Sequence, residues 1–217
     1  MCSVAGSPSV IKVTEMLVKM RHRSPDGVKD VFDGKFSMGM GRLAIIDLVS
    51  PNLFPYEEDD YVLSFNGEIY NYVELKEKLI QKGYSFTTKS DIEVLMKAFR
   101  EWGTGMFMHL NGMFAFAIYD KKEKKIILAR DIAGEKPLYY MLKPFQFASE
   151  AKALHWKCIE FPPAYYGIYD MEKEKLSLSR YWMFKPRTIS PESAMEELDA
   201  LLADSIRLRT RGDVPYG

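Results

Sequence analysis

Gly112-Met113-Phe114-Ala115-Phe116-Ala117-Ile118-Tyr119 and Ile126-Ile127-Leu128-Ala129 are two apolar runs separated by the charged block Asp120-Lys121-Lys122-Glu123-Lys124-Lys125. Aromatic and β-branched residues suit a pleated, buried surface, and a solvated charge block between two such runs reads as a turn. The expected unit is a hairpin with strands over 113–119 and 126–129. Working outward, further strands are expected at 3–5, 36–46 and 61–65 on one side and at 138–141, 145–148, 165–169 and 176–181 on the other. Helical signals are fewer. Val10, Val13, Leu17 and Met20 share one face of a helix over 10–20, and a second helix over 73–82 stops at Gly83. Ser90-Asp91-Ile92-Glu93 has capping-box spacing, and the stripe Val94, Leu95, Ala98 then runs to a stop at Gly103. Many strands with few helical crossovers favour antiparallel sheets and an α+β class.

After Trp182 the texture changes. Lys185-Pro186 and Ser190-Pro191 mark a linker, and an amphipathic helix over 192–209 presents Met195, Leu198, Leu202 and Ile206 on one side. That uncovered face reads as the opening of a second domain that the chain lacks.

Composition narrows the function. The 217 residues carry 30 basic and 30 acidic side chains, so no electrostatic footprint for nucleic acid is expected. No stretch reaches the roughly 18 apolar residues of a membrane span, and the N-terminus lacks a secretory leader, which makes the cytoplasm the default compartment. Cys2 and Cys158 are too few for a disulfide framework, and His22, His109 and His155 form no metal-binding spacing, so no metal is expected. The paired glycines Gly39/Gly41 and Gly103/Gly105 lack the setting of a dinucleotide site. Arg211-Gly212-Asp213 has little support as an adhesion signal in a chain of this type.

Cys2 carries the chemistry. A small second residue permits removal of Met1, which leaves a thiol and a free α-amine on one residue, so that nucleophile and base come together without a histidine. Taken alone, Cys2 could equally be a small apolar residue at the start of a buried strand. Its company decides between these. Arg21-His22-Arg23-Ser24-Pro25-Asp26-Gly27, Gly41-Arg42-Leu43-Ala44-Ile45-Ile46-Asp47-Leu48, Phe65-Asn66-Gly67-Glu68-Ile69-Tyr70-Asn71, Ser90-Asp91-Ile92-Glu93, Leu110-Asn111-Gly112-Met113-Phe114-Ala115-Phe116 and Ala129-Arg130-Asp131 occur in this order. Together with Cys2 they resemble the class II glutamine amidotransferase domain of glutamine-hydrolysing asparagine synthetases, over almost the whole chain.

The resemblance implies an N-terminal-nucleophile hydrolase fold, a four-layer αββα sandwich of two antiparallel sheets. It divides the chain into a glutaminase domain at 1–186 and, at 187–217, a linker and the first helix of a truncated synthetase domain of the ATP pyrophosphatase type. It implies attack of Cys2 on the glutamine side-chain amide, release of ammonia and hydrolysis of a thioester. Asn66 and Gly67 would bind the developing oxyanion, although Asn-Gly between apolar runs is ordinarily a type I′ turn. Arg42 would grip the substrate α-carboxylate and Asp91 the α-ammonium; otherwise these are a surface ion pair and a first-turn helix acid. Backbone groups of a strand through Arg42, Leu43, Ala44, Ile45 and Ile46, and of Glu68, would complete the glutamine pocket, beneath a mobile flap at 23–27. No cofactor is expected in this chain; ATP and magnesium belong to the missing synthetase domain. The expected partners are L-glutamine and a synthetase domain or subunit that receives ammonia, and a homodimer is compatible with the resemblance.

This sequence departs from the family pattern at Ser3, Ser24 and Ile92, where Gly, Gly and Thr are usual, and at Met40-Gly41 in place of His-Arg. Flap geometry is the property those departures affect. Two alternatives stay open: a class II amidotransferase serving another ammonia acceptor, and a noncatalytic binding or regulatory domain that keeps the fold. The ending Asp213-Val214-Pro215-Tyr216-Gly217, which in the resembling synthetases leads into a pyrophosphate-binding loop, favours asparagine synthesis.

Overall fold

A computed structural model describes residues 1–50 and 54–215. In chain order the elements are β1 (Ser3–Ser7), α1 (Val10–Lys19), β2 (Val28–Phe32), β3 (Ser37–Gly41), β4 (Tyr56–Glu58), β5 (Tyr61–Ile69), α2 (Tyr72–Gln81) and α3 (Asp91–Trp102). There follow β6 (Gly112–Asp120), β7 (Lys125–Arg130), β8 (Tyr139–Leu142), β9 (Phe145–Ala148), β10 (Ile159–Glu160), β11 (Tyr165–Asp170), β12 (Lys175–Arg180) and α4 (Pro191–Arg209). The strands form two six-stranded sheets, ordered β10-β8-β9-β1-β3-β2 and β12-β11-β7-β6-β5-β4.

Three apolar clusters glue four layers together. Between the sheets lie Val4, Met38 and Phe147 from one and Val62, Ala117 and Leu128 from the other. Val13, Met16 and Leu17 of α1 pack on the outer face of the first sheet beside Ala5 and Ala148. Leu75 and Leu79 of α2 and Leu95 of α3 cover the second sheet at Leu63 and Phe65. This is the expected αββα sandwich. Among the described residues no helix is long and apolar enough to cross a membrane.

The deciding hairpin forms as read: β6 and β7 pair down to Asp120 opposite Lys125. Asp120 accepts from the Glu123 amide at 2.8 Å and Lys124 takes the left-handed turn at φ 52°. Ser90 caps α3 by accepting from the Ile92 amide at 3.3 Å. Glu93 does not return to the Ser90 amide to complete the box. It turns outward to the amides and hydroxyls of Thr87 and Thr88, four donors that match its carboxylate better than one.

One expectation needs correction, and one alternative is set aside. The expected strand over 36–46 ends at Gly41, because beyond it backbone groups are claimed by side chains instead of a neighbouring strand: Cys2 Sγ accepts from Leu43, the Asp26 carboxylate from Ala44 and the Asp213 carboxylate from Asp47. Asn66-Gly67 is no turn. It lies inside β5, which pairs with β6 over its whole length from Tyr61 opposite Asp120 to Ile69 opposite Gly112. Glycine is required at 67 by close approach, since a Cβ there would sit 2.1 Å from the Met113 carbonyl oxygen.

α4 is capped by Ser190 and leaves Met195, Leu198, Leu202 and Ile206 exposed, as its pattern indicates. Its far end returns to the body of the protein. Leu208 is buried, Arg209 lies over the Tyr70 ring at 4.6 Å, and Arg211 makes a two-pronged pair with Glu74, both contacts at 2.6 Å.

Candidate active site

Cys2 immediately precedes β1, and the antiparallel pairing of β1 with β3 brings its thiol against the start of the loop that follows β3. Leu43 meets it twice. The Leu43 amide donates to Sγ at 3.3 Å, and Sγ can donate to the Leu43 carbonyl oxygen at 3.5 Å. One residue therefore receives both the thiolate and the thiol. Burial pushes the thiol above its ordinary range despite the Leu43 amide, so the resting group is protonated and attack requires a base. The α-amine of Met1 is nearby, and burial lowers it, helped by the charges of Arg23 and Lys136.

Arg23 holds this terminus from below. Its Nε donates to the Cys2 carbonyl at 3.0 Å and its Nη1 to Glu150 at 2.9 Å, while Nη2 reaches the Met1 sulfur at 3.7 Å. These contacts are made by the segment 23–27, the expected flap. Arg23 and Ser24 are buried, Asp26 binds the Ala44 amide at 2.8 Å, and Gly27 accepts from the Arg42 amide at 2.9 Å. The segment is tied on both sides because its polar groups find partners in β1 and in the loop after β3.

A cleft opens in front of the thiol. It is lined by Cys2, Arg42, Leu43, Ile45, Ile46, Asn66, Gly67, Glu68 and Asp91, which brings together every sequence-predicted site residue except Ala44. The Ala44 amide is spent on Asp26. Met1, Met40, Phe65, Ser90, Ile92, Met113 and Lys136 complete the wall. Lys136 is 8% exposed and donates to the Met1 sulfur at 3.7 Å. A lysine in a sequence reads as solvated, and only its nearness to Ala129-Arg130-Asp131 could have drawn attention to it.

The polar groups of the cleft are unevenly satisfied. Asn66 is 1% exposed, yet its Nδ2 has no hydrogen-bond partner. An orphaned buried donor costs on the order of 1–3 kcal/mol, a cost that a ligand acceptor would remove. Arg42 is pinned through Nη2 to the carbonyls of Ile46 and Asp47 and lies 5.6 Å from the Phe54 ring centre. Asp91 is buried, accepts from the Ile69 amide at 3.0 Å, and is pushed up to about 7 by burial and by the charge of Glu68. Burial also raises Glu68, which Lys136 partly offsets. The cleft thus offers a thiol, an unused amide donor, a guanidinium and two strained carboxylates, a set suited to a zwitterionic amide substrate.

The glutamine amidotransferase domain family matches residues 1–206. Asparagine synthetase [glutamine-hydrolyzing] 1 of Bacillus subtilis is 34% identical over all of this chain and 39% of its own length. The asparagine synthetase [glutamine-hydrolyzing] of Zea mays is also 34% identical, with the same coverage of both chains. The chain therefore spans about two fifths of the length of these relatives. Among solved structures, a glutamine phosphoribosylpyrophosphate amidotransferase from B. subtilis superposes with a TM-score of 0.70 over 87% of this chain and 51% of its own, at 22% identity, which establishes the fold. By its sequence over residues 1–206 and by its two-sheet architecture, the chain belongs to the class II glutamine amidotransferase domain family.

Proposed function

We propose that Cys2 of this domain hydrolyses the side-chain amide of L-glutamine to glutamate and ammonia, and that the ammonia serves ATP-dependent synthesis of asparagine from aspartate at a synthetase domain. The observation that carries this reading is the meeting of Cys2, Arg42, Asn66 and Asp91, from four separate stretches of chain, on one cleft. Once Met1 is removed, the Cys2 α-amine, which ordinarily titrates at about 8, takes the thiol proton. Sγ attacks the amide carbon, and the carbonyl electrons move to oxygen, where the Asn66 side-chain amide and the Gly67 N–H receive the charge. The amine returns its proton to the amide nitrogen, the C–N bond breaks and ammonia leaves. Water, deprotonated by the same amine, attacks the thioester; the C–S bond breaks, glutamate is released and the thiol is restored.

Arg42 orients the α-carboxylate, Asp91 the α-ammonium, and backbone groups from Leu43 to Ile46 and of Glu68 fill the remainder of the pocket. ATP and magnesium act only at the synthetase domain, since a cleft with two carboxylates beside one thiol suits an amino acid and would repel a polyphosphate. The names of the relatives support asparagine as the product. Residues 1–186 form the glutaminase unit in this reading, and 187–217 lead toward the synthetase.

One rival reading is a noncatalytic chain from which Met1 is never removed. Intact mass separates the two readings, followed by glutamate release from the processed chain and from Cys2→Ala. Release from the processed chain and none from Cys2→Ala is expected. Equal release from both would sink the mechanism.

A further inference from the structure

The stretch after α4 touches the wall of the cleft. The Asp213 amide donates to the Ile45 carbonyl at 2.9 Å, and the Asp213 carboxylate accepts from the Asp47 amide at 2.8 Å. Asp213 thereby brackets Ile46 from outside. Two residues earlier, Arg211 anchors the same stretch to Glu74 and to the Tyr70 carbonyl at 3.0 Å. This pairing is strong enough to hold Glu74 down at about 2.

What the bracketed loop does makes the contact consequential. The carbonyls of Ile46 and Asp47 pin Arg42 Nη2. The Asp47 carboxylate, buried at 3% exposure, accepts from the Ser50 amide and hydroxyl and from the Lys89 amide at 2.8 Å, one residue before the cap of α3 and two before Asp91. Asp47 also holds a left-handed backbone at φ 57°, a conformation a non-glycine residue keeps only when its surroundings enforce it. Asp47 therefore joins the backbone under Arg42 to the backbone before Asp91. Asp213 closes the outer side of that joint.

We infer that Asp213 is a positioning residue for glutamine binding, acting through Asp47 on the spacing between Arg42 and Asp91, so that the segment after α4 sets the affinity of the cleft. The inference rests on the proposed glutamine reading. Asp213 is itself exposed, so losing its carboxylate is a local change that leaves the core packing intact. The two ends of the amino-acid grip lose a common brace, and affinity suffers more than chemistry.

The test uses the full chain in two backgrounds. On Cys2→Ala, which cannot turn over, calorimetry with L-glutamine is expected to show Kd about fivefold weaker for Asp213→Ala, the effect of one modest hydrogen bond. Asp213→Asn retains an acceptor oxygen and returns Kd to within about twofold. Arg211→Ala, which frees the stretch without touching the loop, weakens Kd in the same direction. On the processed chain with Cys2 intact, KM for glutamine rises with kcat within about twofold. Amide exchange across 43–47 quickens in Asp213→Ala. Unchanged Kd and unchanged exchange overturn the inference, as does an Asn variant no better than Ala. Absent glutamine binding by Cys2→Ala with quickened exchange in Asp213→Ala overturns the glutamine reading and leaves the brace standing. Absent hydrolysis with normal binding overturns only the Cys2 chemistry.

Discussion

Asp131 and Asp91 are both buried carboxylates in motifs of the same family, and their surroundings could hardly differ more. Asp131 accepts from the amides of Phe114, Ala133, Glu135 and Lys136, at 2.8–3.2 Å. Its neighbour Arg130 donates to the carbonyls of Gly134, Lys136 and Phe161 and to Glu160. These bonds shape the loop from 131 to 136. Asp91 has the Ile69 amide, a Ser90 hydroxyl at 3.5 Å and a second carboxylate beside it. The same contrast divides two asparagines of one motif: Asn71 bonds through both amide atoms to His109 and Asn111, whereas Asn66 leaves Nδ2 empty. A saturated polar group in a motif builds the site, and an underserved one waits for a ligand.

Substitution can break this contrast. The largest effect is expected at Asp131→Ala, which removes the acceptor of four amides, those of Phe114 and Lys136 buried, and lowers unfolding stability by on the order of 4 kcal/mol, read as a shift in the urea midpoint. Asn66→Ala should behave in the opposite way. It removes an oxyanion donor, so kcat falls by about 10²- to 10³-fold, while the melting temperature holds or rises because an unpaired buried donor is gone. A large stability loss in Asn66→Ala with normal turnover would reverse its classification. Asn71→Ala serves as the control, with about 1 kcal/mol of stability lost and kcat unchanged.

Asp91 gives a graded test through pH. Its carboxyl titrates at about 4 in an unfolded chain and at about 7 in the fold. Between those values the folded state binds the proton more tightly, so this contribution to stability is present at low pH and is lost as pH rises through about 7. Asp91→Asn should therefore melt above the parent protein at pH about 8 and close to it at pH about 4. Glutamine binding runs the other way. Only the carboxylate pairs with an α-ammonium, so Kd on the Cys2→Ala background is flat above pH about 8 and weakens toward tenfold per unit below about 6. A Kd independent of pH in that range would remove Asp91 from the ammonium site.

Much of this was legible from one sequence, and the reasons are local. Central strands such as β6 and β7 are buried on both faces, so they read as unbroken apolar runs. α3 carries its own start at Ser90 and stop at Gly103. The edge strands β2, β4 and β10 are not legible in the sequence, because Val28–Phe32, Tyr56–Glu58 and Ile159–Glu160 are short, bury no residue fully and lack a clear alternation. The loop after β3 reads as strand, since Leu43-Ala44-Ile45-Ile46 has strand composition and its partners, Cys2, Asp26 and Asp213, lie far away in the chain. Asn66-Gly67 resembled a turn for the same reason: the close approach of β6 that demands glycine is a tertiary fact. The roles of Arg23 and Lys136 were hidden because long cations are ordinarily solvated, and nothing local announces a carbonyl or a thioether waiting for them.

The departures from the family pattern at Ser3, Ser24 and Gly41 looked independent in sequence and are one packing unit in space. Ser3 and Ser24 meet through their hydroxyls at 3.0 Å, both buried, directly over Gly41. A Cβ on Gly41 would lie 1.9 Å from the Ser24 hydroxyl and 2.5 Å from that of Ser3. The two serines fill the room that a glycine at 41 leaves open, and they tie 23–27 to the strand that carries Cys2. Gly41→Ala should therefore cost about 1–3 kcal/mol by overpacking. In a chain that also carries Ser3→Gly and Ser24→Gly the same substitution should cost much less, a coupling of roughly 0.5–3 kcal/mol in a double-mutant cycle, measured by thermal or urea unfolding. Equal cost in both backgrounds would mean that Gly41 is needed for its backbone and that the serines are incidental. Unequal cost makes the three positions one exchange, in which a bulky residue over β1 and β3 has been replaced by a hydroxyl pair that seats the segment under the nucleophile.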